Sequence, residues 1–418
     1  MSRFLLLLPL AGLRHMALAE WGDALRAAGH EVDEMPLLRP DAPPEETVDA
    51  VAKAVGRRDY RAVFAANPLV FVRPDFLARP EVAARPFVCF WFDDPYRPLT
   101  RWEREPGIVA AMKAPHVRHH VWDGHWRDWL AARHGIASRP VHLAADPALF
   151  RPLPPDPAFP SADAVFIGTL ASRAAVDARR HSLAPYPVLA KAARQVEAGI
   201  AQGSFGADPF AVVEAVLAGL PERLRAEAEG LAERAPDALL ALRAFAWLLG
   251  KNEVRRRMLR AALDAAPVSV FSGNLEKTQA GAEELNALVG AERAPHPLRF
   301  VDTGSLGHAD LPKLYAAGRL HLQGTDPQSI QGGLPFRVFQ TTACGRALLT
   351  DVKPELLDCF AEGSEIACYR TEAEIAPAVA RLLADAPARE AMAAAGRERF
   401  LAEHTWRHRV DAVLGSLD

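Results

Sequence analysis

Gly332 to Asp351 reads GGLPFRVFQTTACGRALLTD. Two adjacent glycines open backbone conformations closed to other residues, and Pro335 carries the fixed φ that suits a first helical position. The reading predicts a helix from near Leu334, with Phe336, Val338, Phe339 and Ala343 as its apolar stripe and Gly345 at its end. Ala347 to Thr350 then reads as a buried strand. Glycine loop, helix and strand in that order make an anion site: free N–H groups and the helix dipole attract phosphate, each such interaction contributing roughly 0.3–1 kcal/mol. Arg337, in the first turn, adds a charge-assisted donor. An ordinary αβ unit whose glycines merely turn the chain fits the same residues, and this stretch alone leaves both readings open.

Working outward, the alternation of strand and helix recurs. Phe4 to Leu8 is a strand-length apolar run, and Leu18, Trp21 and Leu25 give the next segment helical spacing up to Gly29, followed by HEVDEMPL. The stretches DYRAVFAANPLVF, RPFVCFWFDDPYRP, HHVWDGHWRDWLAARHG and RPVHLAADPALFRP continue the series as strands that end in polar loops or run into a helix. Residues 151–162, RPLPPDPAFPSA, are crowded with proline and read as a linker. DAVFIGTLASR restarts with a buried strand, and residues 182–260 are rich in Ala, Leu, Glu and Arg with helical periodicity, a helical insertion. Alternation resumes at PVSVFSGN, LRFVDTGS and LPKLYAAGRLHLQGT. The expected fold is α/β, two Rossmann-like doubly wound domains with a helical insertion in the second. Residues 1–150 form the first domain, 151–162 the linker, 163–395 the second domain and 396–418 a C-terminal helix.

Composition narrows the partners. A chain of 418 residues, 50% of them hydrophobic, is long enough for more than one core. Its net charge of −3, without a sustained basic stripe, argues against nucleic acid. Cys89, Cys344, Cys359 and Cys368 are isolated, which suits a reducing cytoplasm and gives no zinc pattern. The N-terminal MSRFLLLLPLAGLRHMALA mimics a secretory signal, but Pro9, Gly12, Arg14 and His15 interrupt it. No apolar run reaches the ~20 residues that span a bilayer. Expected localisation is therefore cytoplasmic, with peripheral membrane contact left open.

The series from FVDTGSLGHADLPKLYAAGRLHLQGTDPQSIQGGLPFRVFQTTACGRALLTD through EHTWRHRV resembles the C-terminal domain of glycosyltransferases related to spore maturation protein CgeB, which are GT-B enzymes of the group-1, retaining type. FWFDDP and LAADPALFRP resemble the acceptor-side domain of the same proteins, and the helical insertion lies outside the likeness. The resemblance implies a transferase that takes a nucleotide-diphosphate sugar, UDP type, chiefly on the C-terminal domain. Its acceptor, a glycan, a lipid-linked precursor or a protein such as flagellin, would sit on the N-terminal domain. It implies no cofactor and no metal. Backbone amides of Gly333, Leu334 and Phe336, with the Arg337 side chain, would hold the diphosphate and offset the charge growing on the leaving nucleotide. Where relatives carry an acidic residue that accepts from the ribose, this chain has Gln340, a weaker acceptor; a solvated or capping role is the competing reading.

Other candidates follow from position. Gly168 and Thr169, after the first strand of the second domain, would let the backbone approach the phosphates or simply turn the strand, and Thr303 and Gly304 lie where, by the resemblance, such folds hold the nucleotide base. Asp326 and Gln328 close a strand at the cleft edge, as sugar contacts or as a turn. Arg255, Arg256 and Arg257 form a basic run, a solvated face or a phosphate contact. On the acceptor side, Asp94, at the end of FWFDDP, could orient or deprotonate a hydroxyl; Asp93 and Asp94 as a cation pair is disfavoured because neighbouring side chains diverge on a strand. WDGHWRDW supplies Asp123 and His125, a second catalytic candidate, among Trp122, Trp126 and Trp129, whose helical spacing equally suits a core. A non-catalytic sugar-nucleotide-binding protein and a nucleotide-sugar epimerase remain as alternatives.

Overall fold

In the computed structural model, residues 1–8, 16–36, 44–67, 74–95, 107–273, 279–304 and 306–417 are described. The interrupting residues of the signal-like segment, Pro9 to His15, lie outside them. The chain divides into two units: Met1–Pro147 with Gln331–Phe336 and Ala402–Asp418, and Ala148–Ile330 with Arg337–Leu401. The opening stretch therefore changes unit between Phe336 and Arg337.

The N-terminal unit holds a six-stranded parallel sheet, β1 (Arg3–Leu8), β2 (Glu31–Pro36), β3 (Ala62–Ala66), β4 (Phe87–Trp91), β5 (Val117–Val121) and β6 (Ser138–Pro140), in the order β2-β1-β3-β4-β5-β6. RFLLLL and FVCFW are near-continuous apolar runs because a parallel sheet is covered on both faces. The core stacks Phe64 on Phe90, with ring centroids 5.8 Å apart, and sets Trp21 edge-on to Phe90 at 4.8 Å. RPVHLAADP, read as a strand, yields only the three-residue edge strand β6 and an isolated bridge from Ala145 to Thr405. The chain end is two helices, Ala386–Glu403 and Trp406–Leu414. The second packs on the N-terminal unit, where the buried Glu20 carboxylate accepts from Trp406 Nε1 at 2.7 Å and from the Asp146 amide at 2.9 Å. Both bonds fall on Oε2, so one oxygen of the buried carboxylate has two donors.

The C-terminal unit holds the second parallel sheet, β7 (Ala162–Ile167), β8 (Val268–Ser272), β9 (Leu298–Asp302), β10 (Gly318–Gln323), β11 (Ala347–Asp351) and β12 (Ala367–Tyr369), in the order β12-β11-β10-β7-β8-β9. Successive strands step away from β7 in one direction and resume at β10 in the other. The order therefore reverses between β7 and β10, where ligands bind outside the carboxyl ends of such sheets. Between β7 and β8 run five helices, Arg173–His181, Pro187–Gln202, Pro209–Ala218, Glu222–Arg234 and Pro236–Ala262. The last, about 40 Å long at 1.5 Å per residue, belongs to two cores. Ala238, Leu242, Phe245 and Ala246 pack among the insertion helices, while Met258, Leu259 and Ala262 pack on the sheet. One rigid rod thus carries the insertion to the sheet's switch point.

Candidate functional site

The glycine loop is already occupied. Helix Phe336–Ala343 starts two residues later than its sequence suggested, leaving Pro335 before it. The Asp123 carboxylate accepts from three consecutive amides, Gln331 at 3.1 Å, Gly332 at 3.0 Å and Gly333 at 2.8 Å, and caps helix Gly124–His134 through the His125 amide at 2.8 Å. Successive amides pointing into one concavity form an anion nest, and here the anion comes from the chain itself. Gly333 must be glycine because a Cβ there would lie 2.9 Å from the Trp122 indole. The amides expected to hold diphosphate are thus committed to Asp123, and Leu334 is fully buried. Phe336 sits beside Trp406, at 6.4 Å between ring centroids.

Charge gathers instead at the switch point of the C-terminal sheet. Arg255, read as part of a solvated basic run, is 5% exposed. Its Nη1 donates to the Thr169 carbonyl at 2.5 Å, and the guanidinium lies 5.7 Å over the Phe166 ring. Gly168 makes room for that ring, since a Cβ there would meet Phe166 at 2.4 Å. The neighbours differ: Arg256 pairs with Glu253, and Arg257 with Glu372. Burial lowers the Arg255 pKa to about 10, Asp326 and Asp351 act against the shift, and Arg337 adds to it. Arg337 is half-buried, with its Nε buried and without a partner among the described residues. Among the described residues neither arginine has a carboxylate partner within ion-pair distance.

Carboxylates shape the rim of this charge without neutralising it. Asp351, at the end of β11, accepts from the Thr325 amide at 2.9 Å and its hydroxyl at 2.6 Å, fixing the loop after β10. Asp326 Oδ1 in that loop accepts from Trp247 Nε1 at 2.6 Å and from the Gln328 amide at 3.2 Å. Lys251 Nζ lies 3.9 Å from Asp326 Oδ2 and 4.8 Å over the Trp247 ring.

The remaining candidates are placed less closely. Gln340 is 3% exposed, so it is no solvated or capping residue. Its Oε1 accepts from Tyr315 Oη at 2.6 Å, and its Nε2 is buried without a partner among the described residues. Thr303 and Gly304 follow β9 at the sheet edge, held by backbone bonds to Ser272 and the Asp302 side chain. In the N-terminal unit, Asp94 is 9% exposed at the carboxyl end of β4, beside Asp93, which takes a bond from Asn67 Nδ2. His125 opens the helix after β5, the adjacent strand. Trp122 and Trp126 are buried, as the core reading expects, but Trp129 is only partly buried and Trp122 precedes the helix, so the three do not form one helical stripe. A cavity of about 470 Å³, lined in part by Lys113, Arg118 and Arg139, opens at the amino ends of β5 and β6, away from Asp94. No group of His, Cys, Asp and Glu among the described residues is placed to hold a metal ion.

Sequence reasoning missed Trp247, Lys251 and the structural use of Asp123. The first two had a signal, since Trp247, Lys251 and Arg255 recur at i, i+4 and i+8 on one helix face. Asp123 had none, because its loop partners are more than 200 residues away.

Residues 255–415 match the family described as glycosyl transferase-like. No curated protein matches the sequence. Among solved structures, a sucrose-phosphate synthase from Thermosynechococcus elongatus aligns over 100% of this chain and 98% of its own, at 14% identity and a TM-score of 0.54. The Anabaena protein HepE, solved with UDP-glucose, aligns over 100% of both chains at 11% identity and a TM-score of 0.56. A glycosyltransferase from Rickettsia africae aligns over 100% and 97% at 8% identity and a TM-score of 0.55. At these identities the likeness establishes the fold, two parallel six-stranded sheets with flanking helices. The sequence match is confined to residues 255–415, and the structural likeness shows for the whole chain the fold that these enzymes share.

Proposed function

We propose that the protein transfers a sugar from a nucleotide-diphosphate donor, UDP type, to a glycan, lipid-linked or protein acceptor, with retention of anomeric configuration and without a metal ion or cofactor. The observation that carries this reading is the pair Arg255 and Arg337 at the β7/β10 switch point, two cations without a carboxylate partner among the described residues. A diphosphate is the anion such a pair suits. As the bond from the anomeric carbon to the β-phosphate oxygen breaks, its electron pair stays on the diphosphate, and fixed positive charge offsets it. HepE is described with UDP-glucose and with UDP, which supports the same donor class here. On the N-terminal unit, Asp94 and His125 are the candidates for orienting and deprotonating the acceptor hydroxyl. Among the described residues no helix is long and apolar enough to cross a membrane, which accords with a cytoplasmic enzyme that meets lipid-linked acceptors peripherally.

Calorimetric titration with UDP, with and without a chelator, tests the binding step. Binding unaffected by chelator, and weakened by Arg337→Ala by the roughly 1.5–3 kcal/mol of a charged hydrogen bond while uridine binding is unchanged, is the expected result. Loss of binding in chelator would overturn the metal-free mechanism. Failure of UDP-glucose to be hydrolysed or transferred with any acceptor would leave a sugar-nucleotide-binding protein.

A further inference from the structure

The diphosphate site uses only one residue of the insertion's long helix, yet two more project from the same face. Trp247, Lys251 and Arg255 follow one another at four-residue spacing, each about 6 Å further along the axis. Arg255 reaches Thr169 after β7, whereas Trp247 and Lys251 reach Asp326 after β10. The helix therefore bridges both sides of the switch point. Asp326 is held by one oxygen: Oδ1 takes the Trp247 indole and the Gln328 amide, while among the described residues Oδ2 meets only the distant Lys251 ammonium, beyond hydrogen-bond reach at 3.9 Å. Its side chain is 16% exposed. An ionised oxygen with unused lone pairs, aimed by an indole N–H, is an acceptor for a hydroxyl.

We propose that this face of the insertion reads the donor's sugar: Asp326 Oδ2 accepts from a sugar hydroxyl, Trp247 fixes the direction of that carboxylate, and Lys251 lies alongside. The inference rests on the diphosphate lying at Arg255 and Arg337, since a sugar on the β-phosphate then falls within one helical turn of Arg255. The sugar class follows from charge. A neutral, hydroxyl-bearing hexose donates to Asp326, whereas the carboxylate of a uronic acid meets a like charge there.

The test measures affinities of the full-length protein for UDP, GDP, ADP and dTDP, for the glucose conjugate of the diphosphate that binds best, and for its glucuronate conjugate. Asp326→Asn keeps the side-chain shape but can place an N–H₂ donor where Oδ2 was; Trp247→Phe keeps the ring and removes the N–H. Each variant should bind the diphosphate within about twofold of wild type and the glucose conjugate roughly tenfold more weakly, and Asp326→Asn should narrow the discrimination against glucuronate. Equal losses for diphosphate and conjugate, or no loss for either, would overturn the sugar-reading role. A wild-type protein that binds none of the four diphosphates would instead overturn the underlying donor site. Thermal midpoints of both variants close to wild type exclude misfolding as the cause of a loss.

Discussion

Replacing Arg255 by methionine should separate stability from binding, because burying its charge costs stability while the proposed diphosphate site needs that charge. Lowering a guanidinium from its ordinary value to about 10 means that its surroundings, burial foremost, disfavour its charged form by roughly 3 kcal/mol. Against that stands one charged hydrogen bond, Nη1 to the Thr169 carbonyl, contributing roughly 1.5–3 kcal/mol. Methionine fills similar space over Phe166 without charge, so the net change in stability should fall between about zero and a gain of 1.5 kcal/mol. Loss of the cation should weaken diphosphate binding by roughly ten- to a hundredfold. Differential scanning fluorimetry with and without UDP reads both quantities: the variant's midpoint should equal or exceed that of wild type without ligand, and UDP should raise it less. A variant that melts clearly lower yet retains the full UDP shift would refute the reasoning, showing Arg255 to be a structural pin for the loop after β7.

Asp123→Ala leaves three loop amides and a helix N-terminus without their acceptor, and should cost about 2–4 kcal/mol by the usual penalties for buried orphan donors and a lost cap; urea denaturation checks this, and a change under 0.5 kcal/mol would contradict it. Gln340→Glu, which the family pattern alone suggests should tighten ribonucleotide binding, should instead destabilise by about 1–3 kcal/mol, since it buries a carboxyl beside Tyr315; tighter UDP binding at unchanged stability would restore the ribose role. Acid should also weaken the fold. Burial holds His119, His120, His142 and His321 at about 4, below their ordinary 6.5. Such depressed groups stay neutral in the fold while the unfolded chain takes up protons, so stability is full above pH 6.5 and falls as the pH drops from 6.5 towards 4. His321→Gln should make that fall shallower in midpoints recorded across the window, and an unchanged profile would count against His321.

What the sequence made legible was local. Apolar runs such as FVCFW and helical spacing such as Leu18, Trp21 and Leu25 gave strands and helices near their observed places, because each signal lies within one element. The parallel doubly wound character followed from their alternation. Charge state and burial were not legible in the same way. RRR at 255–257 looks uniform in sequence, yet helix rotation buries Arg255 against Phe166 and leaves its two neighbours to pair with Glu253 and Glu372. The glycine loop looked like a phosphate cradle because nothing in GGLPFR announces that a carboxylate 208 residues upstream of Gln331 fills it. Gln340 reads in sequence as a ribose acceptor or a solvated or capping residue for the same reason, its partner Tyr315 lying on another helix.

The central claim is that a nucleotide diphosphate sits on the two arginines of the C-terminal sheet's switch point. A crystal structure with UDP tests it most directly. Density for the diphosphate within hydrogen-bond distance of both the Arg255 and Arg337 guanidinium groups, with Asp123 still bonded to the amides of Gln331 to Gly333, is the predicted result; a diphosphate seated on those amides with Asp123 displaced, or bound apart from both arginines, would contradict it.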